Sequence, residues 1–224
     1  MNPEEMGEYA EGDILIPAQA TRNGVRESSL RWPDGHIPYM INGHFNQRDT
    51  IMKAIADYHR LTCLRFVPYK GQQDYITIQS QNTGCWSSVG RIGKNNIRRI
   101  TSSTQLIYTH IDCECPNKYV QTYAPVCTEN NFRKADVKHT NGYGVPYDYN
   151  SVMHYSEYAF SKNSQKTIEP KVGGVKLGQR EGLSRGDVRK VNNMYNCKKE
   201  EPNSGWNMAG IFQNLFGGKA AEMI

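Results

Sequence analysis

Apolar and polar positions alternate in short blocks along this chain, and the blocks predict a mixed α and β fold. Pro33-Asp34-Gly35 is a turn, because proline presets φ and glycine accepts positive φ. Residues 37–41 then form a strand. Asn46 caps a helix over about 47–64, with Asp49 in its first turn. Ile51, Ile55 and Tyr58, with Met52, Ala56, His59 and Cys63, fall at helical spacing and predict a broad buried face. His59 belongs to that face as a packed or capping residue. The chain leaves the helix toward a strand at 64–68, and residues 74–79 alternate as a strand. Near the C-terminal end, Ser184 and Asp187 have capping-box spacing, with Asp in place of the usual Glu or Gln. Val188, Val191 and Tyr195 line one face of the helix that follows. Residues 198–205 are a polar linker, and 206–216 are either a short amphipathic helix stopped by Gly217-Gly218 or disordered.

A length of 224 residues, 38% hydrophobic content, 20 Gly and 10 Pro suit one loop-rich globular domain. The net charge of +5 is modest and scattered, which argues against a nucleic-acid surface. No apolar run is long enough to span a membrane. The first five residues carry two glutamates, so no signal peptide is expected in them. Cys63, Cys85, Cys113, Cys115, Cys127 and Cys197 form an even set without repeated C-x-x-C spacing. Disulfides in an oxidising compartment are the expected use, which implies a secreted protein whose true N-terminus lies upstream. Six cysteines allow 15 pairings, and spacing selects none of them.

The most distinctive stretch is Tyr147-Asp148-Tyr149-Asn150-Ser151-Val152-Met153-His154-Tyr155. It resembles the Met-turn of the astacin family of secreted zinc endopeptidases. Other segments match that family in order: Glu11-Gly12-Asp13, Arg31-Trp32-Pro33-Asp34-Gly35 with its Ile-Pro-Tyr strand, Gly84-Cys85-Trp86-Ser87-Ser88-Val89-Gly90, and Gly178 to Asp187. The resemblance implies an α+β metzincin-type domain. Its N-terminal half would be a twisted mixed sheet with helices, and its C-terminal half would be irregular around a cleft. Residues 1–22 would be a propeptide remnant, with Asp13 as the switch that caps the metal and Arg22-Asn23 as an activation site. Residues 23–197 would be the peptidase domain and 198–224 a linker and tail. Met153 would underlie a zinc ion, and Tyr155 would be its displaceable ligand and stabilise the oxyanion. Trp86, Ser87, Ser88 and Val89 would be a rim strand that pairs with an extended protein or peptide substrate. Cys63 would pair with Cys197. The family partner of Cys85 is missing, leaving Cys113, Cys115, Cys127 or a free thiol.

The family's centre is also missing. Its His-Glu-x-x-His-x-x-Gly-x-x-His segment places two zinc ligands one helical turn apart, with the glutamate as general base and a third histidine beyond the glycine. This chain contains no His-Glu-x-x-His. The pattern breaks at about 94–118, where the stretch is shorter than the family segment by about the length of the zinc helix and holds one histidine, His110. His110 falls near the third ligand position, with Asp112 beside it, but one imidazole is a poor zinc site. The domain is therefore expected to be inactive as written. Two explanations stand: a homologue that lost its motif, becoming a peptide-binding pseudoprotease, or a gene reading that misplaced an exon boundary. The abrupt break between matched flanks favours the second.

Overall fold

The computed structural model describes residues 24–42, 48–79, 86–88, 90–91, 96–99, 118–119 and 140–198. Its main sheet is built from β2 (His36–Asn42), β3 (Arg65–Pro68), β4 (Ile76–Gln79), β5 (Trp86–Ser87) and β6 (Asn96–Arg99), in the order β3-β2-β4-β6-β5. The first four positions in that order run parallel, and β5 pairs antiparallel with β6 at the edge. The pair β2 and β3 is parallel, so it needs a crossover, and α1 (Arg48–Leu61) supplies it. Two short pairs complete the topology: β1 (Gly24–Val25) with β8 (Thr140–Asn141), and β7 (Lys118–Tyr119) with β9 (Ile168–Glu169). The sequence reading interrupts the family pattern at about 94–118, yet four of those residues form β6, an internal strand of the sheet.

The turn before β2 forms where proline and glycine predict it. Asp34 and Gly35 take φ of 51° and 67°, and a Cβ on Gly35 would press on Leu64. Strand β4 begins at Ile76 rather than at Asp74, whose carboxylate is held by Arg91 at 2.6 Å. Arg91 also donates to the carbonyls of Ser29 and Arg31, which straps the entry segment to the sheet.

Helix α1 buries Ile51, Ala54, Ile55 and Tyr58. This corrects the broad face expected from sequence, since Met52 and Ala56 are exposed. Each lies about 100° around the helix from Ile51 and Ile55, beyond a stripe that the sheet covers. His59 is half-buried, and its Nε2 accepts the Phe66 backbone N–H at 2.8 Å, linking the last turn of α1 to β3. Burial and the nearby Arg65 charge lower its pKa, so the neutral, accepting ring is favoured. Asn46, the expected cap, lies outside the described residues.

Helix α2 (Arg185–Met194) starts at the capping box the sequence predicts. Ser184 Oγ accepts from Asp187 N at 2.9 Å, and the Asp187 carboxylate accepts from Ser184 N at 3.0 Å. Its buried stripe is Asp187, Lys190, Val191 and Met194. Of the face expected from sequence, Val191 is buried, Val188 is half-buried, and Tyr195 packs partly buried against the core at the C-cap. A disulfide joins Cys63, just past α1, to Cys197, just past α2. Arg31 donates to Met194 O at 3.0 Å and so satisfies a terminal carbonyl of α2.

The main core collects Ile37, Ile51, Ile55, Tyr58, Leu64, Phe66, Ile76 and Ile78 together with Val152, Met153 and Val191. Burying each large aliphatic side chain there is worth roughly 1.5–3 kcal/mol. A second, smaller cluster gathers Tyr155, Ala159, Ile168 and Leu177, with Phe160 against it. Val152 and Met153 therefore face one core and Tyr155 the other, and the segment between residues 150 and 156 joins them.

Candidate functional site

That joining segment is the Met-turn of the sequence reading, and its geometry is fixed by hydrogen bonds at every step. Asp148 begins it: Oδ1 accepts from Asn150 N at 2.9 Å, and Oδ2 accepts from the Ser184 hydroxyl. Backbone bonds Ser151 N to Asp148 O and His154 N to Ser151 O, at 3.2 and 3.1 Å, make two successive turns. The Ser151 hydroxyl donates to Asp187 Oδ1 at 2.7 Å and accepts from Met153 N at 3.1 Å. The Val152 N–H donates to Asp187 Oδ2 at 3.0 Å. Asp187 is thus shared between the N-terminus of α2 and the turn. Burial pushes its carboxyl pKa upward, against the pull of the hydrogen bonds from Ser151, Ser184 and Val152.

The outer side of the turn is held by the loop before α2. Arg180 donates to the carbonyls of His154, Val152 and Gln179 at 3.0, 3.3 and 2.8 Å. Gln179 donates to Asn150 O and Gly182 O, both at 2.8 Å. Gly178, at φ 82°, lies so close to Ser156 that a Cβ would collide with its backbone. Gly186 is likewise needed, because a Cβ there would strike the Asp148 carboxylate.

His154 is buried, and both its ring nitrogens are engaged. Nδ1–H donates to the Tyr155 carbonyl at 2.7 Å, so Nε2 is the acceptor for the Tyr147 hydroxyl. Tyr149 stacks on the ring and Tyr147 meets it edge-on. A histidine in this state has no lone pair left for a metal. Tyr155 is 7% exposed and packs edge-to-face on Phe160, with ring centroids 5.2 Å apart.

The described residues supply no set of ligands for a catalytic zinc. Among the described residues no three His, Cys, Asp or Glu side chains gather in a metal-binding group. His59 accepts from Phe66, His36 donates to Asp34 O, and His154 is engaged on both sides. Asp13, His110, Cys85 and Val89 lie outside the described residues. Trp86 and Ser87 form β5, the terminal strand of the sheet order. Ser87 and Ser88 are only 1% and 5% exposed, so that edge is covered where they stand.

A separate groove of about 760 Å³ lies between the end of α1, the segment before the turn and the start of α2. Asp57, Arg60, Asp148, Glu181, Arg185 and Arg189 line it. Three carboxylates face three guanidiniums, Arg60 pairs with Asp57 at 2.6 Å, and the balance favours neither anion nor cation.

Sequence reasoning singled out this segment but not what holds it. Asp187 was legible only as a cap, and Arg180 and Gln179 only as parts of a matching stretch. A polar residue inside an N-terminal helical turn carries no mark in the sequence of a second partner about 36 residues away.

Comparison with known proteins agrees with this geometry. The family model for astacin, a peptidase family, matches residues 24–112 and 118–196. The zinc metalloproteinase nas-7 of Caenorhabditis elegans is 34% identical over 218 residues, covering 89% of this chain and 57% of that protein. The astacin-like metalloendopeptidase of Mus musculus is 34% identical over 220 residues, covering 87% of this chain and 49% of that protein. The chain thus spans about half the length of these relatives. Among solved structures, high choriolytic enzyme 1, a hatching enzyme zinc-protease of Oryzias latipes, superposes with a TM-score of 0.67 at 29% identity. That match covers 76% of this chain and 96% of the fish enzyme. Myroilysin, at 17% identity and a TM-score of 0.51, shares the fold. No helix among the described residues is long and apolar enough to cross a membrane. With its sheet and its α1–α2 disulfide on that scaffold, this chain belongs to the astacin family of zinc metalloproteinases.

Proposed function

We propose that this chain is a secreted, non-hydrolytic member of its family, a domain that keeps the scaffold of a zinc endopeptidase without its metal chemistry. One observation carries the proposal. The six histidines stand at positions 36, 44, 59, 110, 139 and 154, no two of them at the i, i+4 spacing that puts two ligands on one helical turn. The glutamate that would activate zinc-bound water is absent with them. Zinc, the family's cofactor, is therefore not part of the function proposed for this chain. The Cys63–Cys197 disulfide supports an oxidising compartment. The test is to measure zinc content and cleavage of an unfolded protein substrate by the purified chain. The expected result is substoichiometric zinc and no cleavage; stoichiometric zinc with chelator-sensitive cleavage would overturn the proposal.

The position of β5 at the end of the sheet order favours capture of an extended peptide by strand addition. Because Ser87 and Ser88 are buried, the covering segment would have to yield to the peptide. Saturable binding of an extended peptide, lost in Val89→Pro, would support this role, and no binding by the unsubstituted chain would remove it.

A second reading has its own support. The family model matches up to residue 112 and resumes at 118, with a break only between those flanks. A gene product whose central segment was misread would look the same. Sequencing the transcript across codons 90–135 separates the two: a His-Glu-x-x-His-x-x-Gly-x-x-His segment there restores the active protease and the proposed roles of Met153 and Tyr155.

A further inference from the structure

We propose that Tyr69 and Tyr75 form a site of oxidative modification, where a peroxidase joins the two rings into an intramolecular dityrosine. The pair spans the connection between β3, which ends at Pro68, and β4, which begins at Ile76. The ring centroids lie 4.1 Å apart, with the planes tilted by 37°. That is closer than the usual aromatic pair, whose centroids stand about 4.5–7 Å apart. Tyr69 is 38% exposed, so an oxidant reaches it, and Tyr75 is half-buried beside it. Neither hydroxyl has a hydrogen-bond partner among the described residues, so nothing there holds back the phenolic protons. The fold holds both ends of the connection. The Tyr69 N–H donates to Tyr39 O at 2.9 Å, and Asp74, next to Tyr75, is held by Arg91 at 2.6 Å. Between them Gly71, at φ 95°, has open space around it, so the loop can follow the rings as they join.

A second tyrosine pair shows what is particular to this one. Tyr147 and Tyr149 meet edge-on at 4.8 Å, and the Tyr147 hydroxyl is bound to His154 Nε2. Tyr158 has the opposite character: it is 50% exposed, with no ring against it among the described residues. Tyr69 and Tyr75 combine exposure, contact and unengaged hydroxyls. The oxidant is hydrogen peroxide, used by a haem peroxidase in the oxidising compartment that the disulfide supports. One peroxide accepts an electron and a proton from each phenol and becomes two waters, leaving two neutral phenoxyl radicals. Their unpaired electrons are shared with the Cε carbons ortho to oxygen. A Cε–Cε bond forms between the rings, and the hydrogens on those carbons pass to the oxygens, which restores both phenols. The new bond ties together the two strands that flank β2.

Treating the dilute full chain with a haem peroxidase and hydrogen peroxide tests this. Trypsin cuts after Lys70, between the two tyrosines, so the cross-link joins the tryptic peptides 66–70 and 71–91. The expected result is that linked pair in the mass spectrum, lighter by the two lost hydrogens, at a yield per chain that dilution does not change. Tyr69→Phe and Tyr75→Phe should each abolish it, whereas Tyr158→Phe should leave it unchanged. Unfolding in urea should lower the yield several-fold, because the fold, and not the short separation in sequence, holds the rings together. Absence of the linked pair in the folded, unsubstituted chain would overturn the proposal. So would a yield that rises with protein concentration, which would assign the coupling to two copies, and so would a yield that urea leaves unchanged.

Discussion

Replacing Asp187 tests whether one carboxylate holds both the Met-turn and the start of α2. In Asp187→Ala, three donors lose their acceptor: the Ser151 hydroxyl at 2.7 Å, Val152 N at 3.0 Å and Ser184 N at 3.0 Å. Ser151 and Val152 are fully buried, so water cannot replace the lost partner. Each orphaned buried donor costs roughly 1–3 kcal/mol, and loss of a cap costs about 1 kcal/mol. Removing a buried carboxyl whose pKa is already raised by desolvation returns part of that. A net loss of about 3–5 kcal/mol is expected, a large share of a typical domain's stability. Asp187→Asn should behave differently. Its amide oxygen can stand where Oδ2 accepts from Val152 and Ser184, while its NH₂ donates to Ser151 Oγ, whose hydroxyl can turn away. The expected cost is about 1–3 kcal/mol, from the Ser151 hydroxyl left without an acceptor. Urea unfolding at neutral pH measures both. The Asn variant should also lose a pH dependence: the raised carboxyl pKa adds stability below the ordinary aspartate range, and that contribution is lost as pH rises through the folded-state value. An Ala variant within about 1 kcal/mol of the unsubstituted chain, or an Asn variant as damaged as Ala, would refute the hydrogen-bond account.

Three further outcomes follow from other groups. Lys190 is buried in α2 with its pKa lowered to about 8, so the folded state sheds its proton first and stability should rise with pH between about 8 and 10.5. The rise is at most about 3 kcal/mol and should vanish in Lys190→Met, read from denaturation midpoints across that range. His59 has its pKa lowered, so its contribution is present above the ordinary histidine value near 6.5 and is lost as pH falls through the folded-state value. His59→Ala should flatten that slope and release the Phe66 amide to exchange. Opening the Cys63–Cys197 disulfide, which closes a loop across 134 residues, should cost about 2–5 kcal/mol in Cys63→Ser/Cys197→Ser, measured by thermal unfolding.

The parts of the fold legible in the sequence are those set by local chemistry. The Pro33-Asp34-Gly35 turn, the alternation of β4 and the Ser184–Asp187 capping box each depend on residues within one turn of one another. The parts that were not legible depend on distance. Whether Met52 or Ala54 joins the α1 stripe is decided by where the sheet lies, and helical spacing alone allowed both. The edge position of β5 follows from pairing with β6, a strand formed by Asn96–Arg99, whose arginines and asparagine have little strand signal of their own. The candidate site was legible as a motif through its residue types. Its support by Asp187, Arg180 and Gln179 was not, because those contacts reach across 26 to 36 residues.

The segment Ser151-Val152-Met153-His154-Tyr155 is held by packing and hydrogen bonds of its own. Val152 and Met153 belong to the same core as Ile51, Ile55 and Phe66, while Tyr155 belongs to the second cluster. Asp187 and Arg180 then pin the backbone between them. Removing any of these residues opens a cavity or orphans a buried polar group, at a cost of several kcal/mol whether or not zinc is ever bound. Folding alone therefore accounts for Ser151-Val152-Met153-His154-Tyr155 in this chain. The turn is evidence of ancestry and of a packed core, while the His-Glu-x-x-His spacing that a zinc helix needs does not occur in the sequence.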